Sequence, residues 1–217
     1  CAKVVLLVGV GGETAYNSSQ RGIVEKITYA LDEDGNSTKA LHIWSNYSYL
    51  KIYADKSAVY TTDIDEIKPG DIIHYTTNSR NTITDILKAF DFQNYVVDAS
   101  YITKDGKTEY NIGYAYSQFN NYMYIFDPDF TNRRKPKVPA AIDYTTVKNI
   151  NIDSSKIVFV NAVRSSDGSE IIRVSVRSEP ISNIVTYLSG GSKANLVVCQ
   201  KSYSTNYMAY VYQITYQ

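Results

Sequence analysis

The sequence predicts an all-β fold: small barrel-like or sandwich-like modules in tandem, built from hairpins and linked by short helical turns. Three observations predict it. Val, Ile, Thr and Tyr dominate the apolar segments and Leu is sparse, the composition of half-buried pleated surfaces. Apolar and polar residues alternate with a period of two through several segments. Asp-Gly pairs separate such segments and supply the positive φ of tight hairpin turns.

Three segments read as strand, Asp-Gly turn, strand. Gly22–Tyr29 leads through Asp34-Gly35 into Lys39–Trp44, and Tyr95–Tyr101 leads through Asp105-Gly106 into Glu109–Tyr114. The third, Val158–Val163, leads through Asp167-Gly168 into Ile171–Val176. A second pattern is a short apolar stretch, a polar break and a new strand. Ile67-Lys68-Pro69-Gly70-Asp71 precedes Ile72–Thr76, Asp153–Lys156 precedes Ile157–Val160, and Gly190–Lys193 precedes Asn195–Cys199. A helix is predicted over Ile181–Leu188, where Ile181, Ile184, Val185 and Leu188 recur at helical spacing, with Ser178 as cap and Gly190 as stop. These repeats divide the chain into residues 1–19, the end of a preceding module and a turn; 20–92, a first β module; and 93–217, a second module with a further split expected near 155.

With 217 residues, 44% of them hydrophobic and 20% charged, the chain is long enough to bury a core and too apolar for wholesale disorder. Twenty-two basic and 22 acidic residues cancel. No net field draws in nucleic acid or an anionic membrane, so no nucleic-acid partner is expected. The longest apolar run, Val4–Val10, is too short for a transmembrane helix. Cys1 and Cys199 are too few for a disulfide framework. The opening at Cys1, directly before a strand, reads as a fragment of a longer chain, with an acylated lipoprotein Cys as the alternative.

Candidate chemistry is sparse. His42 and His74 fall on predicted strands of one module; with Asp63 or Asp65 they would make an incomplete metal site, so no metal ligand and no cofactor are expected. Asp32, Asp34 and Asn36 mimic the start of a calcium loop, but Ser37 and Ile43 stand where Gly and Glu are needed; a weak surface calcium site is the alternative to a plain hairpin turn. Neither a nucleophile elbow nor a P-loop is present, and no enzyme activity is expected. The basic stretch Thr131–Pro139 reads as a solvated loop rather than a binding patch.

The informative residues are aromatic: 21 Tyr against 6 Phe and 1 Trp. Tyr110, Ile112, Tyr114 and Tyr116 share one face of a predicted strand, and Tyr122, Tyr124 and Phe126 share a face beyond a turn. A hairpin would pair them across strands. Tyr110, Tyr114, Tyr116, Tyr122 and Tyr124 are therefore the candidate ligand or interface residues. They would form a core or inter-module face, or else a platform for sugar rings. Met208, Tyr210, Tyr212, Ile214 and Tyr216 alternate in the same way.

Arg21–Val24, Ala30-Leu31-Asp32-Glu33-Asp34-Gly35-Asn36 and Ile67–Ile73 resemble a segment of large surface proteins of clostridial-type Gram-positive bacteria, the S-layer homology (SLH) domain-containing proteins. Ile181–Val198 is similar to the closing part of their repeated β-module region. The wall-anchoring SLH repeats themselves are not visible. The resemblance implies an extracellular, cell-surface segment with a structural or adhesive role, whose partners are other copies of itself, other surface proteins or polysaccharide. A carbohydrate-binding module and an accessory domain of a secreted hydrolase are the alternatives.

Overall fold

The computed structural model describes residues 20–31, 35–98, 110–190, 193–201 and 206–217. The expected strand at Val4–Val10, the thiol of Cys1, the Asp105-Gly106 turn and the acidic pair Asp32 and Asp34 lie outside the described residues. The rest is an all-β chain of two barrels in tandem.

Strands β1 (Gln20–Leu31), β2 (Ser37–Ser45) and β3 (Ser48–Tyr53) form an antiparallel meander. β4 (Ile72–Thr77) returns beside β1, β5 (Ile83–Asp91) pairs with β4, and β6 (Val96–Val97) adds a short edge. A parallel bridge between Tyr53 and Thr82, with the Tyr53 N–H donating to the Asn81 carbonyl at 2.9 Å, brings β3 to β5 and closes the barrel. The β2–β3 turn places Asn46 and Tyr47 at φ 47° and 65°, the two positive values of a two-residue hairpin turn.

The second barrel repeats this path. It consists of β7 (Tyr110–Phe119), β8 (Tyr122–Phe126), β9 (Lys148–Arg164), β10 (Ile171–Ser178), α1 (Tyr187–Gly190), β11 (Leu196–Lys201) and β12 (Tyr207–Tyr216). β7 pairs with β8, β8 with β9, β9 in parallel with β12, β12 with β11, and β11 with β7. Both barrels thus follow the order 1-2-3-5-4-1 with one parallel pairing between the third and fifth strands, the path of OB-type barrels. β10 is an addition that pairs with the outer half of β9.

Four local expectations change. Ile157 is not the equivalent of Ile72: Ile72 opens a fourth barrel strand, Ile157 lies inside a third, and Leu196 holds the matching place. Asp167-Gly168 joins β9 to the added β10 and not the first two strands of a barrel. Position 155 falls inside β9. The helix predicted over Ile181–Leu188 is a 3-10 turn at Ile181–Asn183 and a single α turn at Tyr187–Gly190. Asn195 explains the break. Its side-chain oxygen accepts from the Val185 N–H at 2.8 Å, and its own N–H donates to the Val185 carbonyl at 2.8 Å. Those two bonds take the groups a helix would use. Ser178 ends β10 and donates to the Ile157 carbonyl at 3.3 Å rather than capping.

Period-two alternation sorts the apolar side chains into three clusters. Val24, Leu41, Ile43, Ile73, Tyr75 and Ile86 fill the first barrel. Ala115, Met123, Ile125, Phe159, Val197 and Val211 fill the second, where Ile184 also packs. The third and largest lies between the barrels. Ile23, Ile72, Phe90 and Phe92 on the outside of the first meet Tyr110, Val160, Tyr210 and Tyr212 on the outside of the second.

The Pro69-Gly70-Asp71 connection is bracketed at the edge of this seam. The Gly70 N–H donates to the Val24 carbonyl at 2.7 Å, and the Val24 N–H to the Asp71 carbonyl at 2.9 Å. Gly70 has φ +91°, and a Cβ there would lie 2.3 Å from Cδ1 of Phe92. Both backbone and ring forbid a side chain. Gly70→Ala is expected to cost about 2–3 kcal/mol of stability, read as a lower urea midpoint; an unchanged midpoint would contradict the packing described.

Candidate interaction surfaces

The seam is polar as well as apolar. Tyr212 stacks on Phe92 with ring centroids 4.8 Å apart, and its hydroxyl donates to the Gly70 carbonyl at 2.9 Å. His74, on the outer face of β4, is buried against the second barrel. Its Nε2 lies 2.8 Å from the Tyr110 hydroxyl and 2.9 Å from Nε2 of Gln200. Both neighbours are donors when the ring proton sits on Nδ1, and the Gln200 oxygen accepts from Tyr210 at 3.3 Å. Arg21 donates to the Lys201 carbonyl at 2.8 Å. Tyr49 donates to the Val176 carbonyl at 2.5 Å, and Glu25 accepts from the Val176 N–H at 3.3 Å. First-barrel side chains thereby cap part of the free edge of β10, which would otherwise offer its backbone to another strand.

Arg164 is fully buried at the end of β9. It donates to the Tyr95 hydroxyl at 2.6 Å and to the Gln93 carbonyl at 3.3 Å, and its guanidinium lies 5.3 Å from the ring centroids of Phe92 and of Tyr95. Aromatic faces and neutral oxygens solvate the charge. Asp71 is buried as well, with its two oxygens accepting from the Phe92 and Lys68 N–H groups, each at 2.9 Å. Burial raises its carboxyl to about 7, against the pull of those N–H groups and of Lys88.

The five candidate aromatics separate. Tyr110 is in the seam on His74, and Tyr114 is buried with its hydroxyl donating to the Pro136 carbonyl at 2.8 Å. A bulge falls between Ala115 and Ser117, so Tyr114 faces Phe126, Ser117 faces Tyr124 and Phe119 faces Tyr122. The bulged Tyr116 joins an outer cluster with Tyr187, stacked at 6.4 Å, and Tyr144, edge-on at 6.0 Å. Tyr122 is exposed and Tyr124 half-buried. His42 bonds Thr28 at 2.9 Å and stays away from His74; among the described residues no three His, Cys, Asp or Glu side chains converge on a metal position. Cys199 is buried inside the second barrel, and burial raises its thiol to about 12. From sequence, His74 stands out only as half of an incomplete metal site, and Gln200, Arg164 and Asp71 do not stand out as site residues. Two seam positions were within reach: His74 follows seam-facing Ile72 by two, and Arg164 follows Val158, Val160 and Ala162 on the same alternation.

Two grooves combine apolar and charged lining, one on the first barrel and one at the margin of the seam, where Tyr114, Leu196 and Tyr212 line it. One, of about 470 Å³ on the first barrel, is lined by Tyr29, Val59, Tyr60 and Ile64 together with Asp55, Asp63, Asp65, Lys39 and Lys56. The other, of about 520 Å³ on the second barrel, runs between the basic loop and β12. Val138, Ile214 and Tyr216 line it, with Lys137 and Lys193. Lys135, on the same loop, lies over the Tyr216 ring at 4.8 Å.

Burial, helped by the nearby Arg21 charge, lowers the pKa of His74 to about 3. The folded ring is therefore neutral, whereas an unfolded histidine titrates at about 6.5. Between those values the unfolded chain binds a proton that the folded chain does not. Stability through His74 is complete above about 6.5 and is lost as pH falls, by up to about 1.4 kcal/mol per pH unit. Asp71 acts oppositely: its contribution is present below about 4 and is lost as pH rises towards 7. Comparing the parent with His74→Gln isolates the first effect. From pH 7 to pH 5 the stability difference is expected to move by about 2 kcal/mol in favour of the variant. Denaturant unfolding at both values measures it, and a pH-independent difference would contradict a neutral buried ring.

No family model matches the chain. No curated protein matches it. Among solved structures, the crystal structure of the p204 HINb domain is similar over 90% of this chain and 92% of that one, at 8% identity and a TM-score of 0.25. A likeness at that level carries no weight for fold or function.

Proposed function

We propose that this chain is a rigid, non-enzymatic structural segment of a bacterial cell-surface protein, in the manner of an S-layer lattice or stalk element. The observation that carries this reading is the seam. The aromatic strands that invited a ligand reading are largely spent on joining two barrels, with Tyr110, Tyr210 and Tyr212 buried there. The polar chemistry is spent in the same way, since His74, Gln200 and Arg164 bond across the interface or to its edge. A segment that must hold a fixed shape between neighbours needs such a joint. The resemblance to SLH-domain surface proteins supports the location. Immunogold labelling of intact cells with an antibody to this chain is expected to decorate the outer surface, on an array or on projections. Label confined to the cell interior would sink the proposal.

Carbohydrate binding is a second reading, favoured by one observation. Tyr116, Tyr187 and Tyr144 cluster outside the second barrel, and Tyr144 is 69% exposed. Such rings stack on sugar faces. Titration with cell-wall glycan fragments is expected to show binding that Tyr144→Ala weakens roughly tenfold, the effect of losing about 1.4 kcal/mol of stacking. Binding unaffected by that change would remove this reading.

A further inference from the structure

The chain is neutral, but its two barrels are not. Residues 20–98 carry 8 Lys and Arg against 12 Asp and Glu; residues 110–217 carry 11 against 7. Residues 20–98 therefore sum to −4, three of their acids (Asp32, Glu33 and Asp34) lying outside the described residues, and residues 110–217 sum to +4. The excesses are matched to surface features. On the second barrel, Arg133, Arg134, Lys135 and Lys137 follow one another on the loop beside the 520 Å³ groove, and Lys193 lines its other side. Asp129 is the neighbouring acid, its carboxyl held low by Thr131 and by Lys137. On the first barrel, Asp55, Asp63 and Asp65 line the 470 Å³ groove, offset in part by Lys56 and by Lys39, which is ion-paired with Asp65.

Both grooves have apolar side chains among their lining residues. Tyr29 is 74% exposed and Val59 96% exposed in the acidic groove; Val138 and Ile214 lie half-buried in the basic groove. Apolar side chains together with charged ones are what a protein interface combines. The two surfaces carry opposite signs, so each would repel its own kind and accept the other.

We infer that the chain associates head to tail: the acidic groove of the first barrel in one copy docks against the basic groove of the second barrel in the next. Such a contact is heterologous. It uses different surfaces on the two copies and leaves one of each free, so it propagates as a ring or an open filament rather than closing as a two-fold dimer. The inference rests on reading the chain as an assembling surface segment and names the partner and the contact.

Sedimentation of the purified chain over a range of concentrations and salt tests it. The parent is expected to form species beyond a dimer, and rising salt is expected to weaken them. Two double reversals separate the surfaces: Asp63→Lys with Asp65→Lys, and Lys137→Glu with Lys193→Glu. Each alone is expected to weaken association roughly tenfold or more. An equimolar mixture of the two is expected to regain the parental association, because the signs are again complementary. A reversed chain that had merely misfolded would not regain it. Association that ignores both reversals, or that stops at a dimer, overturns the contact while leaving the surface-segment reading intact. A parent that stays monomeric at low salt overturns it as well. Immunogold label inside the cell overturns the surface reading and not the contact.

Discussion

Tyr212 lies against Phe92 with its hydroxyl on the Gly70 carbonyl, and the arrangement of the molecule depends on that junction. The ring belongs to the last strand of the second barrel. Phe92 and Gly70 belong to the end of β5 and the loop before β4 in the first. Phe90 packs on the same ring at 5.7 Å, and Asp71, next to Gly70, accepts from the Phe92 N–H at 2.9 Å. One aromatic contact thus ties the closing strand of one barrel to the loop and strand end that shape the other. A barrel filled by its own interior cluster does not require this. The seam is an additional apolar layer on the outside of both, and it is what makes two small barrels one body.

The buried tyrosines of this layer have a clear physical use. A seam between barrels brings ring faces together where backbone carbonyls and polar side chains are also losing water. Phe would pack there and leave those groups without partners, at a cost of about 1–3 kcal/mol each. Tyr packs and donates at once. Tyr212 does so to Gly70, Tyr114 to Pro136, Tyr49 to Val176, and Tyr110 to His74. The histidine fits only as a neutral ring, and the arginine only because Tyr95, Phe92 and the Gln93 carbonyl surround it. Buried polar groups of this kind hold one relative orientation of the barrels more tightly than apolar area alone, which tolerates sliding.

Much of this was legible in the residues. Alternation over Gln20–Leu31, Lys39–Trp44, Ile72–Thr76 and Tyr207–Tyr216 marks real strands, because a two-sided strand with distinct faces writes its period into the sequence. What was not legible depends on distant partners. Barrel closure rests on Tyr53 meeting Thr82. The loss of the helix at Val185 rests on the Asn195 side chain. The register of the aromatic hairpin rests on a bulge between Ala115 and Ser117, which sets Ser117 and not Tyr116 opposite Tyr124. Alternation identified Tyr210 and Tyr212 as sharing a face, but both faces of these strands are buried, one in a barrel and one in the seam. Periodicity does not tell such faces apart.

Net charge conceals organisation in the same way that composition does. A sum of zero suggests a chain with no electrostatic preference, whereas residues 20–98 sum to −4 and residues 110–217 to +4. The Debye length is about 8 Å at physiological salt, less than the width of a barrel. Each barrel therefore presents its own sign to a near neighbour, although the pair is neutral at a distance. Such a distribution does little to speed encounter from afar. It acts once two surfaces are close, where it penalises like ends and favours unlike ones. The rigid seam is what gives that preference a direction: with barrels free to swing, opposite charges on one chain would fold back on each other. Fixed by the Tyr212 junction, the two surfaces keep one relative orientation for other copies to meet.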